Sequence, residues 1–269
     1  MVVIDLHREG IQESVDHIQF PTGERHIRIR NLWPTDSVFL KYSDPSGDLM
    51  KLGMAVDICR RAQVKSITLL MTFTPYARQD QVYVPGDPLS IKVFADFVNS
   101  LNLDKVIVID PHSNVTSALF NNCLVVPQSH YAKQAVLKDQ PDVLVAPDLG
   151  AAKKIKDLQR ELNDPIDIIQ CDKTRDPRTG KITGFRVLDG DPRGKRCMMV
   201  DDICDGGGTF LGLAEVLAAK GATSQSLYVT HGIFSRGLGG LVQAFDKVYT
   251  TDSLPIKDGT EVISLGDLR

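Results

Sequence analysis

The chain lacks several features that would settle its class at a glance. It has no apolar run of membrane-spanning length, and its opening MVVIDLHREG lacks the basic-then-apolar pattern of a secretory leader. The five cysteines, at 59, 123, 171, 197 and 204, show no CxxC spacing and are odd in number. That excludes a zinc ribbon and a disulfide frame and suits reduced thiols in a cytoplasmic protein. Low-complexity tracts and long flexible linkers are missing. A large excess of either charge is missing too: the net charge is −3, which argues against nucleic-acid binding by bulk charge.

What remains is a globular composition, 42% hydrophobic and 24% charged over 269 residues. That length makes one large domain or two of ordinary size. Apolar runs at 38–40, 66–71, 105–109, 143–146, 197–200, 226–230 and 247–250 read as buried strands. Between them lie helical patterns, such as Leu49, Leu52, Val56 and Cys59, or Phe210, Leu213, Val216 and Leu217, with apolar residues three and four apart. Strand–helix–strand alternation implies an α/β fold with mainly parallel, doubly wound sheets. HIQF and HIRIRN around PTGE predict a hairpin ahead of the first parallel unit. KDQPDV, 138–143, marks a boundary between two tandem halves, 1–140 and 141–269.

In such sheets ligands sit beyond the carboxyl ends of the strands. The most informative strand exit is VDDICDGGGTF, 200–210, with the strand CMMV before it, DDICDGG as the turn and GTFLGLAEVLAA as the helix. Glycines let backbone N–H groups converge on one anion, and a helix N-terminus adds partial positive charge. Yet Asp201, Asp202 and Asp205 crowd the same loop. Two like charges about 4 Å apart cost about 4 kcal/mol at an effective dielectric near 20, so an anion here needs partners that neutralise carboxylates. Sugar hydroxyls and divalent cations both do so, and a ribose carrying a 5-phosphate supplies both the anion and the diol.

Four further exits carry chemistry. VIVIDPHSN places Asp110 and His112 after a strand, as metal ligands or as a cap and a surface histidine. TPYARQD offers Arg78 and Gln79, a polyphosphate clamp or solvated polar groups. In VLVAPDLGAAKK, Asp148 either binds a metal or caps a helix. In IIQCDKTRDPRTGKITGF, Lys173 and Arg175 follow a short strand, with PRTGK as the turn of a hairpin. A mobile loop presenting Lys and Arg suits stabilisation of a phosphoryl-transfer transition state.

Taken in order, FPTGE, YARQD, PLSIK, DPHSN, APDLGAAKK, DKTR, VDDICDGGGT and THGIF resemble the ribose-phosphate diphosphokinases, or phosphoribosyl pyrophosphate synthetases, from about residue 18 to 265. The resemblance implies two phosphoribosyltransferase-like domains, a homodimer or hexamer, and magnesium-dependent transfer of the β,γ-diphosphate of ATP to the 1-hydroxyl of ribose 5-phosphate, releasing AMP. By motif match Asp201 and Asp202 hold the ribose hydroxyls, and Asp205, Gly206, Gly207, Gly208 and Thr209 form the 5-phosphate loop. His112, Asp148 and Asp110 lie near magnesium, and Arg78, Gln79 and His112 contact ATP. Phe20, Thr22 and Glu24 match a segment that reaches adenine from a neighbouring subunit, and Lys173 and Arg175 match the catalytic pair.

The chain departs from the family pattern in places. It has DGGGT where Asp-Thr-Gly-Gly-Thr is usual, no positive charge in QVYVPGD, Thr22 in place of Asn, and no Gln-Gly-Phe-Phe after DPHSN. Gly206 is expected to leave room beside the 5-phosphate. An acceptor with a larger 5′ substituent, such as ADP-ribose in NAD salvage, then becomes the alternative to ribose 5-phosphate. Two other readings are a phosphoribosyltransferase, which shares the acidic loop but not the motifs of the first half, and a non-catalytic regulatory paralogue, which would be expected to have altered DKTR.

Overall fold

The computed structural model describes residues 2–6, 15–162, 166–175 and 182–266, without the side chains of Arg175 and Ile182. It divides into two compact units, the first ending at Val126 and the second starting at Pro127.

The first unit runs β1 (Val2–Asp5), β2 (Val15–Gln19), β3 (Arg25–Ile29), β4 (Ser37–Tyr42), α1 (Leu49–Arg61), β5 (Ser66–Met71), α2 (Ser90–Ser100), β6 (Lys105–Ile109), α3 (Asn114–Leu119) and β7 (Cys123–Val126). Its main sheet has the order β1-β4-β5-β6-β7, with all pairings parallel. The central strands β4, β5 and β6 are largely apolar and buried, as strands of a covered parallel sheet are. β2 and β3 pair antiparallel, Gln19 opposite Arg25, and form the expected hairpin around PTGE. The α1 face of Leu52, Val56 and Cys59 is fully buried in this unit's core. Asp48 caps the helix by accepting a hydrogen bond from the Lys51 N–H at 3.1 Å.

The second unit runs α4 (Gln128–Asp139), β8 (Val143–Ala146), α5 (Ala151–Glu161), β9 (Asp167–Arg175), β10 (Ile182–Asp189), β11 (Arg196–Cys204), α6 (Gly208–Ala219), β12 (Ser224–Gly232), α7 (Gly239–Ala244), β13 (Lys247–Thr251) and β14 (Glu261–Ile263). Its sheet order is β10-β9-β8-β11-β12-β13-β14. All pairs are parallel except β9 with β10, an antiparallel hairpin at the edge.

Three expectations need correcting. The division lies at 126/127, not 140/141, because α4 packs against α5, β11, β12 and β14 of the second unit. KDQP is the end of that helix, with Gln140 left-handed at φ 52° and a proline that cannot continue the helix. The strand starting at CMMV extends through Asp201 and Asp202 to Cys204, so only DGG is left as the turn. Lys173 and Arg175 do not follow a strand. They end β9, with Lys173 opposite Phe185 and Arg175 opposite Ile182. The turn PRTGK lies outside the described residues.

Candidate active site

In the second unit the carboxyl ends of β8, β9, β11 and β12 bring most of the proposed residues together. β11 delivers Asp201 and Asp202 at successive positions, so the pleat sends them to opposite faces. Asp202 is buried (6% exposed) and accepts a hydrogen bond from Lys154 Nζ of α5 at 3.2 Å. Asp201 is half-buried, and its Oδ1 accepts the Asp202 N–H at 2.9 Å. Burial, then the charges of Asp202 and Asp148, hold the Asp201 carboxyl well above the usual carboxylate range.

Asp148 follows β8 and takes the capping role foreseen for it, together with an ion pair that was not foreseen. Its Oδ1 accepts the Ala151 N–H at 3.1 Å, capping α5. Its Oδ2 accepts Lys173 Nζ at 2.8 Å. Burial pulls this carboxyl up, but the Lys173 hydrogen bond and charge, with the N–H groups of Ala151 and Gly150, outweigh it and leave it below its ordinary value.

The phosphate loop follows directly. Gly207 adopts φ +76°, a left-handed turn that starts α6. The N-cap of α6 is Gly207, which has no side chain to cap the helix itself, and an anion bound in this turn would face the helix N-terminus. The loop is pinned from β12: Ile233 and Phe234 donate to the Cys204 carbonyl at 2.9 and 3.1 Å, and Ser235 donates to the Asp205 carbonyl at 3.1 Å. Thr209 is half-buried at the first turn. Behind the loop the Cys204 thiol is fully buried. Burial, then Asp201 and Asp205, push it up to about 12, so it is no nucleophile.

The room expected beside Gly206 is occupied. A Cβ built there would lie 3.3 Å from both Cδ and Nε of Arg236. Arg236 was not anticipated, because nothing in THGIFSRG signals that a residue thirty positions on lies over the loop. Gly212 is the other omission. A Cβ there would stand 2.0 Å from Phe185 Cε2, so the missing side chain lets the β9–β10 hairpin rest on α6.

In the first unit, Ser113 Oγ donates to Asp80 Oδ2 at 2.6 Å, joining YARQD to DPHSN. Arg78, Gln79 and His112 are exposed. Asp110 is buried (2% exposed) at φ +36°. With Tyr76 (φ 61°) of the first unit and Phe234 (φ 47°) of the second, it places left-handed non-glycine residues inside three of the motifs, a strain of about 1–3 kcal/mol each. On the hairpin, Phe20, Thr22 and Glu24 are all exposed, and Thr22 Oγ1 donates to Glu24 Oε2 at 2.7 Å.

Among the described residues no three His, Cys, Asp or Glu side chains converge as a complete metal cage. The half-buried, charge-disfavoured Asp201 beside Asp202 and Asp148 nevertheless fits magnesium, which keeps several waters and uses one or two carboxylates plus substrate phosphates.

A parallel sheet whose central strand ends in paired aspartates and a glycine turn opening a helix defines the phosphoribosyltransferase class, and residues 128–254 match the model of the phosphoribosyl transferase domain. Residues 10–101 match that of the N-terminal domain of ribose phosphate pyrophosphokinase. Relatives include ribose-phosphate pyrophosphokinases of Hyphomonas neptunium, 33% identical over 253 residues (90% of this chain, 76% of that one), and Agrobacterium fabrum, 32% over 255 residues (90% and 80%). A crystal structure of phosphoribosylpyrophosphate synthetase from Mycobacterium smegmatis superposes with TM-score 0.80 at 26% identity, covering 93% of this chain and 86% of that one. The chain belongs to the ribose-phosphate pyrophosphokinase family.

Proposed function

We propose that the protein transfers the β,γ-diphosphate of ATP to the 1-hydroxyl of ribose 5-phosphate, releasing AMP. The acceptor oxygen attacks the β-phosphorus, the bond from that phosphorus to the α,β-bridging oxygen breaks, and the hydroxyl proton is released. The observation that carries this reading is the Lys173–Asp148 contact of 2.8 Å. It supports that reading because the DKTR ammonium stands against Asp148, just past β8, the strand beside β11 and its acidic loop.

The roles divide by chemistry. Asp201 and Asp202 accept hydrogen bonds from the ribose diol, and the α6 N-terminus and loop 205–209 take the 5-phosphate. Arg78, Gln79 and His112 hold ATP, with Phe20, Thr22 and Glu24 offered to adenine of a second copy in a homodimer or hexamer. Lys173, with Arg175, supports the charge that builds on the transferring phosphoryl oxygens. Magnesium, when bound, neutralises polyphosphate charge, and Asp148 and Asp201 are the carboxylates that would hold it, with Asp110 and His112 toward ATP. A cytoplasmic setting is consistent with five unpaired cysteines and with the lack, among the described residues, of any helix long and apolar enough to cross a membrane.

The test is AMP formation from ATP, magnesium and ribose 5-phosphate. No AMP above background would end this reading, and release of diphosphate with a nucleobase and no ATP requirement would favour a phosphoribosyltransferase. Light scattering measures the assembly.

A further inference from the structure

A cation that the motif reading did not assign lies against the phosphate loop. Arg236 lies just after β12, in the turn whose Ser235 N–H is bonded to Asp205 of the loop. Its aliphatic stem lies against Gly206, with Cδ and Nε each 3.3 Å and Cγ 3.7 Å from where a Cβ would be. The two 3.3 Å distances are tighter than ordinary van der Waals contact, so a side chain at 206 would make the arginine stem give way by a few tenths of an ångström. Arg236 is exposed, and its guanidinium makes no ion pair or hydrogen bond among the described residues. Glycine at 206 and arginine at 236 therefore form one arrangement: the first yields its space to the second.

The chemistry of the loop indicates what the guanidinium is for. On the proposed reading, one phosphate is served by the glycine turn and the N-terminal end of α6. A guanidinium on the rim, with planar donors matched to phosphate oxygens, is left for an anionic group beyond that first phosphate. Spare volume is not the reason, because the arginine fills it.

We propose that Arg236 is a specificity-determining residue that binds a second phosphate on the acceptor's 5′ side, so that the enzyme accepts a ribose whose 5-phosphate is joined to a further phosphate, as in a nucleoside-diphosphate sugar. This rests on the diphosphokinase reading and concerns the acceptor only.

ADP-ribose and ribose 5-phosphate are compared as acceptors, by AMP release with ATP and magnesium and by calorimetric binding without ATP. Wild type turns over ADP-ribose. In Arg236→Gln the ratio of kcat/KM for ADP-ribose over ribose 5-phosphate falls about tenfold or more, the size of a lost charged hydrogen bond, mainly through KM. Gly206→Thr lowers the same ratio by displacing the arginine while keeping its charge. An unchanged ratio in both variants, or equal losses on both acceptors, overturns the proposal. So does a wild type that uses only ribose 5-phosphate. If neither acceptor yields AMP, the diphosphokinase reading fails, and calorimetry still decides the point: ADP-ribose binding weakened by Arg236→Gln more than ribose 5-phosphate binding supports the role of Arg236, and equal weakening or none refutes it.

Discussion

Gly212 of α6 and Phe185 of β10 meet so closely that a Cβ on the glycine would stand 2.0 Å from Phe185 Cε2 and 2.4 Å from Cδ2. Phe185 is also the ladder partner of Lys173, so the ring that rests on α6 sits across from the proposed catalytic ammonium. The contact ties the height of the hairpin to the helix that opens at the phosphate loop.

Gly212→Ala forces that ring away and lifts the hairpin with it. The expected result is a fall in kcat of about tenfold or more with a smaller change in acceptor KM, because misplacement of a charged group by about 1 Å can cost up to about a hundredfold. Adding Phe185→Ala removes the clash. The double variant should recover part of the lost kcat in steady-state assays of AMP release, and a double variant no better than Gly212→Ala would show that the ring does not act through position.

Lys173→Ala should lower kcat by about a hundredfold or more, the range for losing a preorganised charge on a transition state. Its effect on stability should be small. The Lys173 and Asp148 side chains are 19% and 31% exposed, and Asp148 keeps the Ala151 N–H as a donor. A thermal midpoint close to wild type, with turnover lost, separates a chemical role from a structural one.

The parallel architecture was legible because buried strands such as Val143–Ala146 and Lys105–Ile109 appear as short apolar runs between amphipathic helices. The edge strands were less legible: β1 and β7 are short and partly exposed, and β14 has three residues, so neither length nor pattern marks them. DKTR read as loop because charged residues end a strand whose face is half-open. Asp201 and Asp202 read as turn because polar residues were assumed to leave the sheet, whereas β11 carries them to Cys204. Nothing local could have shown Arg236 against Gly206 or Phe185 against Gly212. Those pairings come from the crossing of distant elements, and a glycine tolerated for flexibility looks the same in sequence as one needed for close approach.

Gly207→Ala tests the loop from the backbone. At φ +76°, with Leu241 Cδ2 3.3 Å from the added Cβ, alanine meets both strain and crowding. A loss of about 1–2 kcal/mol is expected, read as a lower denaturant midpoint at unchanged slope, together with a raised acceptor KM.

Asp201 sets stability against function. Its carboxylate is disfavoured by burial, then by Asp202 and Asp148, so in the ligand-free protein its charge opposes folding at neutral pH. Asp201→Asn removes that charge while keeping the shape and an acceptor oxygen for the Asp202 N–H. The variant should therefore unfold at a higher temperature than wild type when assayed without divalent cations, and should be slower in turnover because the ribose diol and the metal lose a carboxylate. The sign with pH follows from a raised folded-state value. The neutral carboxyl carries no penalty below the ordinary unfolded-chain value of 3.8, and the penalty grows as pH rises toward and through the folded-state value. The stability difference between variant and wild type should vanish in acid and open toward neutrality, and magnesium with substrate should narrow it by stabilising wild type more. A variant less stable than wild type at neutral pH, with the gap closing only in acid, would instead mean that Asp201 is held by a favourable partner, and would remove the argument that this carboxylate is kept charged for a cation.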